Sequence, residues 1–152
     1  MLACIDHINL VVRDLDLMSR FYIQVMGLKV TKRVTISGPW IERIVGLTDV
    51  EAEVLYLEAG RGPRLELIRY ARPAGVRPIE LERANTEGLR HLAFRVEDID
   101  AAAAKIQAAG FELLSPIQQV PGKQVTYAGG VRKRLVYFHD PERNLIELCE
   151  YQ

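Results

Sequence analysis

Cysteine is scarce in this chain: Cys4 and Cys149 are the two among 152 residues. They are too few and too far apart for a disulfide framework or a thiolate zinc site, and read as free, partly buried thiols on the first and last strands. An excess of either charge is also missing. Twenty Lys and Arg balance 20 Asp and Glu, so nothing draws the chain to nucleic acid or to an anionic membrane surface. No apolar run reaches the ~20 residues of a membrane span, and Met1 leads straight into a strand pattern without the apolar region of a signal peptide. A cytoplasmic protein that acts on a small molecule is expected. Histidine is rare too, three in all, so the positions those three occupy carry weight.

What the chain does contain is a repeat. Asp6-His7-Ile8-Asn9-Leu10-Val11-Val12-Arg13-Asp14-Leu15-Asp16 returns as Arg90-His91-Leu92-Ala93-Phe94-Arg95-Val96-Glu97-Asp98-Ile99-Asp100. Both copies run His, alternating apolar positions, then Asp-apolar-Asp starting seven residues after the histidine. A helical pattern follows each, over 15–26 and 99–109, capped at its start by Asp14 or Asp98 and stopped by Gly27 or Gly110. Each half closes on a strand with one glutamate between large aliphatics, Leu65-Glu66-Leu67 and Ile146-Glu147-Leu148. The histidine-to-glutamate separations, 59 and 56 residues, nearly match.

Between those ends, strands are expected over 29–37, 52–57 and 64–70 in the first half, with a short irregular or helical stretch at 40–45. In the second half they are expected over 112–119, 124–127, 134–138 and 145–151. The fold class is α+β: one domain, 1–152, of two tandem βαβββ modules whose curved mixed sheets form a cup. Module one covers 1–70, a linker with Pro73, Gly75 and Pro78 covers 71–87 with a short helical turn at 79–83, and module two covers 88–152. The exposed edges of such sheets favour a homodimer.

Side chains alternate along a strand, so Ile8, Leu10 and Val12 share one face and His7, Asn9 and Val11 the other. The apolar face packs on the helix, which puts His7 on the concave face, and the same parity puts His91, Glu66 and Glu147 there. A lone strand histidine is ordinarily a hydrogen-bonded, half-buried residue, and a lone strand glutamate a solvated one. Here two histidines occupy equivalent repeat positions, each with an equivalent glutamate, and carboxylates in apolar strands are costly unless paired or metal-bound. Two imidazoles, two carboxylates and no thiolate suit a borderline divalent ion such as zinc, nickel, cobalt, manganese or iron(II).

These residues also carry a family resemblance. Ile5-Asp6-His7-Ile8, Phe21-Tyr22, Met26-Gly27-Leu28, Leu65-Glu66-Leu67-Ile68, the run Gly88 through Val96, Phe138-His139-Asp140-Pro141 and Leu145-Ile146-Glu147-Leu148 resemble the vicinal oxygen chelate superfamily of glyoxalases, bleomycin resistance proteins and extradiol dioxygenases. The resemblance implies that His7, Glu66, His91 and Glu147 are metal ligands, one divalent ion per site, from one chain or across a dimer. The ligand set is similar to that of glyoxalase I and methylmalonyl-CoA epimerase, which implies an isomerase, epimerase or lyase that removes a proton beside a carbonyl with Glu147 and Glu66 as its catalytic carboxylates. A metal-dependent dioxygenase and a drug-sequestering protein are the alternatives. Four other features are singled out. Glu53 is a possible extra base, and Trp40 lies on an insertion suited to covering the cup or meeting another subunit. Arg132-Lys133-Arg134 either meets an anionic substrate group or starts a solvated strand, and His139 belongs to the turn at Asp140-Pro141 or supports the site.

Overall fold

The computed structural model describes all residues, Met1–Gln152, and divides the chain into two compact units, Met1–Arg77 and Pro78–Gln152. In the first, β1 (His7–Val11), α1 (Leu15–Arg20), β2 (Lys29–Ser37), α2 (Pro39–Val45), β3 (Glu51–Glu58) and β4 (Arg64–Arg72) follow in order. The sheet order is β1-β4-β3-β2, with β1 parallel to β4 and the other pairs antiparallel. In the second, β5 (His91–Arg95), α3 (Ile99–Ala108), β6 (Gln118–Gln119), β7 (Lys133–His139) and β8 (Leu145–Tyr151) pair as β5-β8-β7-β6 with the same directions. The sequence repeat is thus a repeat of topology, two tandem βαβββ modules.

Helix α1 starts where Asp14 accepts a hydrogen bond from Leu17 N–H at 2.8 Å, the expected N-cap. Leu15 and Met18 face inward, and Met18, Tyr22, Leu57 and Leu67 have no measurable exposure. The helix expected over 15–26 is α-helical only to Arg20; Phe21–Val25 is a π-helical turn in which Met26 N–H reaches Phe21 O at 3.1 Å. The wider turn keeps both Phe21 and Tyr22 buried before Gly27, at φ 79°, ends the helix as expected. In the second unit Asp98 caps α3 through Ala101 N–H at 2.9 Å. Buried Glu150 of β8 accepts the Ile99 N–H at 3.2 Å, tying the start of the helix to the last strand.

Three further expectations fail. The strand over 112–119 shrinks to Gln118–Gln119 and one bridge, Leu113 to Phe138, because Pro116 has no N–H to give the ladder. No strand forms over 124–127, since Gln124 and Val125 both donate to Pro121 O in a turn. Cys4 lies ahead of β1 and is exposed, and only Cys149 is a buried strand thiol. Burial raises the Cys149 pKa.

Two substitutions probe this arrangement by urea unfolding. Asp98→Ala should lower stability by about 1 kcal/mol through the lost cap, and Leu67→Ala by about 2–5 kcal/mol through a cavity under α1. An unchanged midpoint for Asp98→Ala would refute the capping role.

Candidate functional site

Register does most of the assembly. In the parallel pairs, the residue two beyond each histidine lies across from the glutamate: Asn9 from Glu66 and Ala93 from Glu147. His7 Nε2 comes 3.5 Å from Glu66 Oε2, and His91 Nε2 comes 3.3 Å from Glu147 Oε2. The candidate ligands therefore stand as two equivalent pairs, one in each unit. Neither unit by itself gathers three His, Cys, Asp or Glu side chains into a metal-holding group.

The separation within each pair is compatible with a divalent ion. Two donors bound tetrahedrally at ~2.1 Å stand ~3.4 Å apart, close to both measured separations and longer than a good N–H···O contact. The imidazoles are about two-fifths exposed, whereas Glu66 is 12% and Glu147 only 3% exposed. His7 Nδ1 lies 2.8 Å from Asp6 Oδ2, an outer contact that fixes the ring and leaves Nε2 turned toward Glu66. Asp6 is also held by Arg64. His7 first, then Arg64, keep its carboxyl below the ordinary range. Module two has no such carboxylate: Arg90 stands in that position and donates to the carbonyls of Leu81, Leu89 and Arg83.

Each glutamate has a second neighbour that the sequence reading missed. On the antiparallel side, Tyr56 lies across from Glu66 and Tyr137 across from Glu147. Each ring meets the histidine of its own pair edge-on, with centroids 5.7 and 5.3 Å apart. Both phenols are pushed up to about 12, Tyr56 chiefly by its hydrogen bond to Glu66 and Tyr137 by burial and then by Glu147. They are thus neutral donors near pH 7. A signal existed: each tyrosine precedes its glutamate by ten residues.

The third neighbour differs between the modules. Asn9 donates to Glu66 Oε2 at 2.7 Å. Its counterpart Ala93 has nothing to donate, and Lys133, on β7, places its ammonium 2.6 Å from Glu147 Oε1 instead. The contact is an ion pair. Burial works to lower the Lys133 pKa, but Glu147 more than offsets it and the pKa is raised. Lys133 also lies 5.7 Å from the Tyr151 ring centre, against which Arg95 stacks from 5.2 Å. A cavity of about 320 Å³ lined by Gln119, Tyr127, Arg132 and Lys133, among others, opens beside it.

The remaining candidates are placed as follows. Glu53 is not on the site face: it pairs across from Arg69, on the side opposite Glu66, and is engaged by Arg33 and Arg69 at 3.2 Å. An extra base there is ruled out by strand parity. His139 Nε2 lies 3.0 Å from Glu82 O, while Asp140 beside it accepts from Glu142 N–H and Asn144 N–H to fold the turn. Trp40 is half-exposed on α2. Of the basic triplet, Arg134 is taken by both oxygens of Asp100 at 2.8 and 2.9 Å, and Lys133 is taken by Glu147.

Known proteins share this fold. The family model described as "Glyoxalase/Bleomycin resistance protein/Dioxygenase superfamily" matches residues 4–148. A 2-epi-5-epi-valiolone epimerase from an Actinomyces species is 31% identical, over 96% of this chain and 78% of its own length. The Bacillus subtilis protein YwkD is 28% identical over 99% of this chain and 98% of its own. The crystal structure of a glyoxalase family protein from Bacillus cereus superposes with a TM-score of 0.82 at 28% identity, over 99% of this chain and 95% of that one. From its fold and the span matched by the family model, the chain belongs to the glyoxalase/bleomycin resistance protein/dioxygenase superfamily.

Proposed function

We propose that the protein is a divalent-metal-dependent epimerase or isomerase, or a lyase of the glyoxalase type, acting on a small molecule with an acidic proton beside a carbonyl. The observation that carries this reading is the duplicated His-Glu pair, each with donor spacing suited to an ion. His7, Glu66, His91 and Glu147 are the ligands in this reading, brought to one ion within a chain or across a homodimer. Zinc, nickel, cobalt, manganese and iron(II) all suit two imidazoles and two carboxylates. A relative named as an epimerase favours proton movement as the chemistry. The second glutamate weighs against a dioxygenase, which needs open positions around a two-histidine, one-carboxylate centre.

When bound, the ion would supply the Lewis acidity that makes a proton beside a carbonyl removable near neutral pH. The rest is work for the chain's own groups. A carboxylate oxygen of Glu147 accepts the proton from one face of the substrate, and Glu66, having taken up a proton from solvent, delivers it to the other face, after which Glu147 releases its own proton to solvent, giving epimerisation. Tyr56 and Tyr137 hold the glutamates in place as neutral donors. Asp6 keeps the His7 ring turned, and the aliphatic cluster of Ala52, Val54 and Ile68, on the same face as Glu66, excludes water from that side.

Two measurements test the reading. Purified protein should take up about one divalent ion per site, and His7→Ala or His91→Ala should abolish that stoichiometry while leaving the fold intact by circular dichroism; unchanged uptake in both variants would sink the ligand assignment. Glu147→Gln keeps an oxygen donor but not the basicity, so exchange of a substrate α-proton with deuterated solvent should fall by about a hundredfold or more while metal largely remains. Suitable substrates are 2-oxo-aldehyde thiohemiacetals, 2-methylacyl-CoA thioesters and cyclic hydroxyketones. Undiminished exchange in both Glu147→Gln and Glu66→Gln would exclude the mechanism.

A further inference from the structure

The two modules match at the histidine, tyrosine and glutamate, and part company four residues along each strand. That step takes Glu66 to Tyr70 and Glu147 to Tyr151, His7 to Val11 and His91 to Arg95, and, running back, Tyr56 to Ala52 and Tyr137 to Lys133. Register makes these positions equivalent, since Ala52 pairs with Tyr70 and Lys133 with Tyr151. Residues an even number apart share a face, so each trio lies on the face of its glutamate. In module one the trio is Val11, Ala52 and Tyr70, with no charge. In module two it is Arg95, Lys133 and Tyr151, two cations about one ring: the guanidinium carbon lies 5.2 Å and the ammonium 5.7 Å from the ring centre. Burial raises the Cys149 pKa, and both positive charges reach that sulfur to oppose it. Glu147 is the one acid on this face of β5, β7 and β8, and it answers Lys133. Arg95 has the ring and no carboxylate. Tyr127 meets Tyr151 edge-on at 5.6 Å, and the cavity of about 320 Å³ opens beside Lys133.

An unanswered guanidinium beside a second cation suits a bound oxyanion. Stacking on a ring leaves the N–H edge of a guanidinium free for two parallel hydrogen bonds to a carboxylate or phosphate. An ammonium with one contact on Glu147 has further N–H groups to give. Resting on the reading of the His-Glu pairs as the reaction site, we propose that Arg95 and Lys133, beside Tyr151 on module two, form a subsite for the anionic end of the substrate, a carboxylate or phosphate. Lys133 touches Glu147 as well as the subsite, so a small molecule reaches from one to the other within a single module. The substrate is then a carbonyl compound that carries an oxyanion away from its reacting carbon. This favours acids and phosphate esters over neutral cyclic hydroxyketones.

The test is isothermal titration of the metal-free, full-length protein with phenyl phosphate, phenylacetate and the neutral phenylacetamide, which share one apolar body. One of the two anions should bind about tenfold or more tightly than the amide, the scale of a charge-assisted contact. Tighter phenyl phosphate assigns a phosphate and tighter phenylacetate a carboxylate, and either upholds the subsite. Arg95→Gln should weaken the preferred anion about tenfold or more, and Arg95→Lys should recover only part of the loss because the paired N–H geometry is gone. Arg43→Gln, on α2, removes the same charge elsewhere and should bind as the parent does. Equal binding of anions and amide, no binding of any probe, or equal losses in Arg95→Gln and Arg43→Gln would each overturn the inference. Zinc uptake by the same proteins keeps this inference apart from the reading it rests on. Arg95→Gln should take up zinc as the parent does, since Arg95 contacts neither His91 nor Glu147. Loss of anion preference with zinc uptake intact strikes the subsite alone. Absence of zinc uptake with the anion preference intact strikes the metal reading and leaves the oxyanion site standing.

Discussion

A carboxylate buried on a strand between large aliphatics must be answered by something positive, and this requirement organises the molecule. Glu147 is nearly sealed from solvent, and isolated there as an anion it would cost several kcal/mol. The chain meets it with a histidine, a tyrosine and a lysine drawn from the strands on either side. Glu66 is met in the same way with an asparagine in place of the lysine. Because each glutamate lies on the strand between its partners' strands, the order β1-β4-β3 or β5-β8-β7 is itself the device that surrounds it.

Strand parity then divides the labour. The residues flanking each glutamate, Leu65 and Leu67 or Ile146 and Leu148, turn to the helix side and supply core, while the glutamates turn away from it. Ion pairs on the helix side have a different task. Arg134 with Asp100 and Glu150, or Arg33 with Asp16 and Glu53, fasten the first turn of each helix to its sheet. Polar residues that look alike in sequence are thus assigned to structure or to the site by whether their position is odd or even.

That rule explains what was legible in advance. The repeat, the caps at Asp14 and Asp98, the glycine stops and the faces of His7, Glu66, His91 and Glu147 are all local patterns of period 2 or 3.6. Glu53 was singled out only as a carboxylate on the strand before Glu66; its register against Arg69 puts it on the opposite face. The segment over 112–127 was overread because its apolar residues suggested strands while Pro116 and Pro121 decided against them. Lys133 was visible only as part of a basic run. Its pairing with Glu147 depends on two strands meeting in register, and the equal ten-residue spacing of Tyr56 and Tyr137 from their glutamates gains its meaning from the same register.

The connectivity has a consequence for how the protein comes into being. In each module the histidine sits on the first strand and the glutamate on the last, joined by a parallel pairing that closes only after the helix and two intervening strands have been made. Such a contact has high sequence separation, and its loop-closure entropy must be met before it gives anything back. The hairpins β3-β4 and β7-β8 can form early from neighbouring segments, but neither contains a histidine of the pair. Half of a site therefore cannot exist on a half-folded chain. A nascent or partly unfolded molecule offers scattered imidazoles and carboxylates but no spaced pair, so recognition is withheld until the module's first strand has docked.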